Sequence, residues 1–550
     1  MTRPLHASAG DAPAPGRVLL RRGLVHTGDP ERRHTSIAWE HGRIVGTGDE
    51  TWAAAYDGAD LVVDLAGRWA APAFVDAHVH TVATGFLRTQ LDLTACQSLA
   101  DCLAAVAAAA RDEAGPDGGD AVLLGTGWDE SAWPEQRGPK ADEIERAARG
   151  RLVFLNRIDG HSAVVSPRLA DRIDRLRQQP GWHDSGLVEL DAYAAVNQAL
   201  GDLVGRGQRL AAARAAVGDM VRHGIAGFHE NAAPHLGPAE EMALVRQAAA
   251  EHGLISTLYW GELASEAAFA ILDRFGAVGL AGDLNADGAI GSCTAAMTSP
   301  YSATPDHVAG LPHDHRGHGF LEPDQIAEHV AACTRAGVQA GFHCIGDAAL
   351  EAVADGFERA EAMVGGPAIR AARHRLEHVE MPSPRARRVL ARLGVTASVQ
   401  PVFDDLWGGP DGMYASRLGS RWRLMNPFRD LQRDGVRLAF GSDGPVTPMG
   451  PWQAIRAAVR HRTDGFGLDL PAAFAAHTRD GWSSAGMDDA QGLRRGQRAH
   501  VAIWDAELPP LATSSWLPGL DDHDEAAWLD GACEQLWVGG VGAGSPGLAG

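Results

Sequence analysis

Apolar and polar residues follow two different periods along this chain. From Arg17 to Leu65 the alternation is short, in VLLRRGLVHTGD, SIAWEHGRIVGTGD and ADLVVDLAG, each run closing on a turn signal. Period-two alternation between Gly and Asp turns predicts strands with one buried face. The signature returns near the other end, in GLRRGQRAHVAIWD (492–505) and CEQLWVGG. Neither end has enough strands to bury a sheet face alone, so residues 17–70 and 486–540 are expected to pair into one small composite β-sandwich. The outermost segments, Ala7 to Gly16 and Gly539 to Gly550, are rich in Gly, Ala and Pro and read as loose ends.

Between them, residues 71–485 repeat a short apolar run, a polar residue at its end and a long helical stretch. That is βα repetition. Eight run ends stand out: FVDAHVH (74–80), IAGFHEN (225–231), STLYW (256–260), GDLNADG (282–288), AGFHCIGD (340–347), HRLEHVE (374–380), TASVQP (396–401) and LAFGSDGP (438–445). Eight such units predict an α/β fold, a (β/α)8 TIM-like barrel. Residues 91–221 then become an insertion between strands 1 and 2, with strand-like runs AVLLGTGWDE and RLVFLNRIDGH. An insertion of that length at a catalytic face is expected to be structured and functional.

Composition narrows the partners. With 70 acidic against 49 basic residues the formal charge is -21, which disfavours nucleic acid. No run of 18 or more apolar residues offers a membrane span, and Leu103–Ala110 reads as a buried helix. Met1–Gly16 lacks the charged start and apolar run of a secretory signal. The six cysteines form no CxxC pair, so a soluble, cytoplasmic chain acting on a small molecule is expected. Lysine is nearly absent, Lys140 being the sole example.

The candidate chemistry lies at the strand ends. His78 and His80 are two apart, so both imidazoles project from one strand face. Alone, such a pair is as readily a surface feature as a metal site. His343, His378 and Asp443 end three further apolar runs, and neutral imidazole with carboxylate suits zinc and its neighbours. Five such groups on four strands would point into one barrel mouth. Strand termination explains any one of them but poorly explains the set.

Together with GTGWDE, RIDGHSAVV, SGLVEL, DGAIGSCTAAM, RHRLEHVEM and the terminal GLRRGQRAHVAIWD, these motifs run nearly the whole length of the chain. The sequence resembles the amidohydrolase superfamily, in particular its amidohydrolase 3 or N-substituted formamide deformylase-like branch. The resemblance implies a barrel with a composite sandwich and metal ligation by His78, His80, His343 and His378, with Asp443 as ligand and proton carrier. It also implies a homodimer as an expectation. Two positions depart from it. Many relatives carry a carbamylated lysine at the end of strand 4, where this chain has Asp283, several atoms shorter; Lys140, in the insertion, is a poor substitute. One divalent ion, with His378 freed to polarise the substrate, is the favoured outcome. The alternatives are two ions bridged by Asp283, Glu230 or Glu189, or Asp283 acting only to orient a histidine. The second departure, His500 in place of aspartate, falls in the sandwich and is expected to affect packing alone.

The expected activity is hydrolysis of a C–N bond in a small amide, N-acyl or N-formyl compound. Zinc would acidify water and polarise the carbonyl, and Asp443 would pass the proton from water to the leaving nitrogen. Trp128 and His161, ending the insertion's strand-like runs, and Gln400, ending strand 7, are candidate substrate-binding residues, with a core aromatic as the plain alternative for Trp128. His229 and Glu230 read as a structural pair or as part of the mouth. Deamination or decarboxylation on the same site is the rival activity; a non-catalytic binding protein is disfavoured because nearly all ligands are present.

Overall fold

In the computed structural model, residues 16–27, 34–111, 121–158, 162–302, 312, 314–504 and 533–544 are described. One eight-stranded sheet follows chain order: β1 (Phe74–Val79), β2 (Ile225–Ala232), β3 (Ile255–Trp260), β4 (Gly279–Leu280), β5 (Gln339–Cys344), β6 (Arg375–His378), β7 (Thr396–Val399) and β8 (Arg437–Phe440). Every neighbouring pair is parallel. The sheet curls back on itself: Asp443 N donates to His78 O at 2.7 Å and His80 N to Gly444 O at 2.9 Å. The result is the nearly closed TIM-like barrel that the repetition predicts. Its strands read as apolar runs because both faces are covered; all six residues of β1 are buried.

One predicted run is displaced. GDLNADG does not form a strand; β4 ends at Leu280, just before it. Gly282 turns the chain there at φ +83°, a conformation glycine adopts freely. A Cβ at this position would come within 2.7 Å of Asn231 Oδ1. The chain rejoins the barrel at Asn285, which bridges His343.

The chain ends build two further sheets. Strands Arg43–Gly48, Ser36–Glu40, Arg17–Arg21 and Leu61–Asp64 form one; Leu24–Val25, Trp69–Pro72, Val501–Trp504, Cys533–Val538 and Val541–Ala543 form the other. Residues from both termini pair directly, Val501 opposite Pro72 and Trp504 opposite Trp69. Val18, Leu20, Ile37, Trp39, Val501, Ile503 and Trp537 fill the core between the sheets, which makes the sandwich composite. Part of the segment read as a loose end is ordered: Gly539 and Gly540, at φ +59° and +82°, make the two-residue turn of a hairpin. His500 is buried and stacks on Trp482, with ring centroids 4.6 Å apart.

Thr81–Ala216 forms a compact unit of its own. It starts earlier than the predicted residue 91 because helix Thr81–Thr89 belongs to it. Its sheet has five strands, in the order Leu187–Glu189, Ser162–Val165, Val153–Arg157, Leu123–Trp128, Leu91–Asp92. Separate apolar layers, one around Phe154 and Val196 and one around Trp133 and Leu155, pack within it. Among the described residues, no helix is long and apolar enough to cross a membrane.

The seam between β8 and β1 depends on an absent side chain. A Cβ at Gly441 would lie 2.5 Å from the backbone nitrogen of His78, which cannot move without displacing the strand. Gly441→Ala is therefore expected to lower the unfolding free energy by about 1–3 kcal/mol. Gly201→Ala, in open space on helix Leu190–Leu203, should leave stability unchanged or raise it by up to about 1 kcal/mol. Denaturant unfolding of the two variants checks the contrast.

Candidate metal centre

The predicted residues meet at the C-terminal end of the barrel. Ligand atoms of His78, Asp283 and His378 all lie within 4.8 Å of one another, as do those of His78, His80 and Asp443. His78 comes from β1 and His80 from the residue just past it. Asp283 follows the Gly282 turn. Asp283, several atoms shorter than a carbamylated lysine, is carried inward by the chain itself, which places Oδ2 3.2 Å from His80 Nε2 and Oδ1 3.4 Å from His78 Nε2. Asp443 Oδ1 lies 3.1 Å from His80 Nε2 and 3.3 Å from His78 Nε2.

Backbone strain helps to aim these groups. On a regular strand Glu377 and His378 would face opposite sides. His378 instead takes φ +69° and Val379 φ +49°, and Asp443 sits at φ +55°. Non-glycine residues in this region cost about 1–3 kcal/mol each, so the surrounding hydrogen bonds must hold them. Asp76 supplies part of that hold, accepting from Ser442 N at 2.9 Å and His78 N at 3.2 Å. Burial outweighs these bonds and pushes the Asp76 carboxyl up to about 6.

His78 and His378 are oriented from behind. His78 Nδ1 donates to Glu377 Oε2 at 2.8 Å, and His378 Nδ1 to Gln400 Oε1 at 2.8 Å. Phe403 stacks on His378 with its plane 11° away. Both Nε2 atoms are thereby left for the centre. Gln400, expected to line the substrate pocket, is instead 1% exposed and committed to His378; the residue after the strand end packs inward here. His343 stands beside the cluster, its ring 4.4 Å from that of His378, but its Nε2 points to Gly288 O at 3.2 Å.

The electrostatics match a cation site. His78 Nε2 and Asp283 Oδ1 are buried without a hydrogen-bond partner, which is costly unless another species satisfies them. Burial, the largest influence on His78, disfavours its charged form, yet Asp443 and Asp283 override it and push the imidazole up to about 10. His80 is raised for the same reasons. Asp283 and Asp443 are held below the usual carboxylate range, the imidazoles outweighing burial. Burial lowers His378 to about 4, keeping it neutral. Oxygen and neutral imidazole donors of this kind suit zinc or a similar divalent ion.

The remaining candidates fall elsewhere. Trp128 is 2% exposed, with Nε1 donating to Leu155 O at 3.0 Å inside the insertion's apolar layer, the core position left open for it. His161 lies outside the described residues. Glu189 pairs with His183 at 3.0 Å, and Lys140 begins helix Ala141–Ala148. His229 turns into the barrel interior and binds Arg375. Glu377 and Arg375, which the sequence reading passed over, are both fully buried. Their signal was present in HRLEH: opposite charges at i and i+2, on one face of a short strand whose residues are all buried.

The profile of the amidohydrolase family matches residues 61–541. The chain belongs to the amidohydrolase family. It is 26% identical over 480 residues to the putative amidohydrolase YtcJ of Bacillus subtilis, covering 81% of this chain and 84% of that one. Protein LONG AFTER FAR-RED 3 of Arabidopsis thaliana is 25% identical over 472 residues, covering 80% and 78%. N-substituted formamide deformylase of Arthrobacter pascens is 23% identical over 207 residues, 36% of this chain and 37% of that one. In fold, the chain resembles the crystal structure of an uncharacterised metal-dependent hydrolase from Pyrococcus furiosus, with TM-score 0.73 and 22% identity over 89% of this chain and 99% of that one. Membership makes the chain a hydrolase of a metal-dependent family, placed on the amidohydrolase 3 branch by its YtcJ-like relatives.

The charge balance fixes the sign of a pH effect. His78, raised to about 10, must lose its proton before its Nε2 can hold a cation. Divalent-cation binding at pH 8 is therefore expected to release protons, and affinity to fall as pH falls. Titration calorimetry in buffers of different ionisation enthalpy measures the release; heats independent of buffer would contradict this.

Proposed function

We propose that this amidohydrolase cleaves a C–N bond of a small amide, N-acyl or N-formyl compound at a single zinc or zinc-like cation. The observation that carries the reading is the convergence of His78, His80, His378, Asp283 and Asp443, with His78 Nε2 and Asp283 Oδ1 buried and without a hydrogen bond. Similarity to N-substituted formamide deformylase supports the bond type. His78 with Asp283 and His378, or His78 with His80 and Asp443, would hold the cation, and three protein ligands leave positions for water and substrate. The two ligand groups share His78, whose one free nitrogen has a single lone pair, and this favours one ion. His343 stands beside them, its ring 4.4 Å from that of His378 and its Nε2 on the Gly288 carbonyl.

The bound cation supplies Lewis acidity, polarising the scissile carbonyl and acidifying water. The proton work falls to Asp443. Its carboxylate is held ionised by protonated His78 and His80; those imidazoles would give up their protons to bind the cation, which would restore the basicity that lets Asp443 accept a proton from attacking water. It then returns that proton to the leaving nitrogen, since the amine is expelled from the tetrahedral intermediate only once its nitrogen is protonated. Gln400 and Phe403 hold His378 in one orientation, so little rearrangement is needed as charge develops.

Asp443→Asn is expected to lower kcat by about 10²–10⁴-fold, and metal analysis of the same sample separates loss of the ion from loss of the base. A screen of N-formyl and N-acyl amides, with and without chelator, tests the function. A carboxylate and an amine should form only with metal present. Release of ammonia from a ring or of carbon dioxide would favour deamination or decarboxylation instead, and a rate unchanged in Asp443→Asn would remove the assigned base.

A further inference from the structure

Beneath the cluster the barrel interior holds a charged layer where such barrels carry branched aliphatic side chains. Arg375 grips Glu377 with two hydrogen bonds, Nε to Oε1 at 2.6 Å and Nη2 to Oε2 at 2.8 Å. Its Nη1 donates to His229 Nδ1 at 2.8 Å and its Nη2 to Ala77 O at 2.6 Å. The guanidinium also sits 4.4 Å over the ring of Tyr259, whose hydroxyl donates to Gln339 Oε1 at 2.7 Å. Arg375 and Glu377 are 0% exposed and His229 1%.

A fully buried ion pair is a poor source of stability, because desolvation offsets its attraction and an apolar replacement is often as stable. What the layer does supply is direction. The bidentate grip stops the Glu377 carboxylate from rotating, and that carboxylate receives the Nδ1 proton of His78. Arg375 is itself fixed by contacts with β1, β2 and β3, so the position of His78 is referred to three strands besides its own hydrogen bond. We propose that Glu377, Arg375 and His229 are positioning residues that fix the tautomer and aim of His78, and thereby set cation affinity. The proposal rests on the reading of the cluster as a cation site.

The test uses an apolar pair variant, Arg375→Met with Glu377→Leu, which removes both charges together. Zn²⁺ affinity by chelator competition, the visible spectrum of the Co²⁺-loaded protein and the apo thermal midpoint are measured beside wild type. The variant should fold with a lowered thermal midpoint, because His78 Nδ1, His229 Nδ1 and Ala77 O each lose a buried partner, and bind Zn²⁺ about 10–100-fold more weakly, with an altered Co²⁺ spectrum. Arg375→Met with Glu377→Gln, which restores an acceptor oxygen for His78, should recover most of the affinity. If the apolar pair does not fold, Glu377→Asp carries the test, withdrawing the acceptor by one methylene while keeping a charge for Arg375; about 10-fold weaker binding is expected. Wild-type affinity and spectrum in the folded apolar pair, or in Glu377→Asp, overturns the positioning role. Absence of Zn²⁺ binding by wild type overturns the cation reading itself.

Discussion

Asp283 and Asp443 face His78 and His80 across 3.1–3.4 Å in a nearly closed space. Buried ionised groups are tolerated only when paired or bound to a metal. Protons on the imidazoles meet this condition in part, which is why both histidines are raised. They leave Asp283 Oδ1 without a hydrogen bond, and a divalent cation would meet the condition more fully. Much of the barrel's upper end can be understood as the scaffold that keeps these groups from relaxing apart.

That scaffold works by backbone placement more than by side-chain reach. Gly441 lets β8 approach β1 closely enough for Asp443 to bond to the His78 carbonyl. Strained φ angles at His378 and Asp443 turn their side chains to the centre, and Gly282 does the same for Asp283. Short side chains on a fixed backbone lose little rotamer freedom when they are held in place. Precision at the site therefore comes from strand ends and turns that the rest of the barrel already holds.

The parts of this arrangement legible in the sequence were those written as local pattern. Apolar runs ending in His or Asp located the barrel and gathered His78, His80, His378 and Asp443 from the sequence alone. GDLNADG was misplaced because β4 itself spans only Gly279 and Leu280, too few residues to show a period. Most of the insertion's sheet was hidden for the same reason: strands such as Leu91–Asp92 carry almost no pattern. The aim of the His343 ring toward Gly288 is a side-chain torsion, which spacing does not encode. Gln400 was recognised as a strand end, but its partner lies 22 residues earlier on a neighbouring strand, a tertiary contact that periodicity does not reveal.

Asp283 reaches the centre through its backbone rather than its side chain. A long side chain at the end of strand 4 would reach the centre through several rotatable bonds. Here a short carboxylate arrives on a turn made by the preceding glycine, and its position is set by main chain packed against Asn231. Its oxygens address His78 and His80, the same pair that Asp443 addresses from strand 8. Two carboxylates converging on one pair of imidazoles concentrate negative charge at one point, and oxygen with imidazole nitrogen is a donor set that suits a divalent cation.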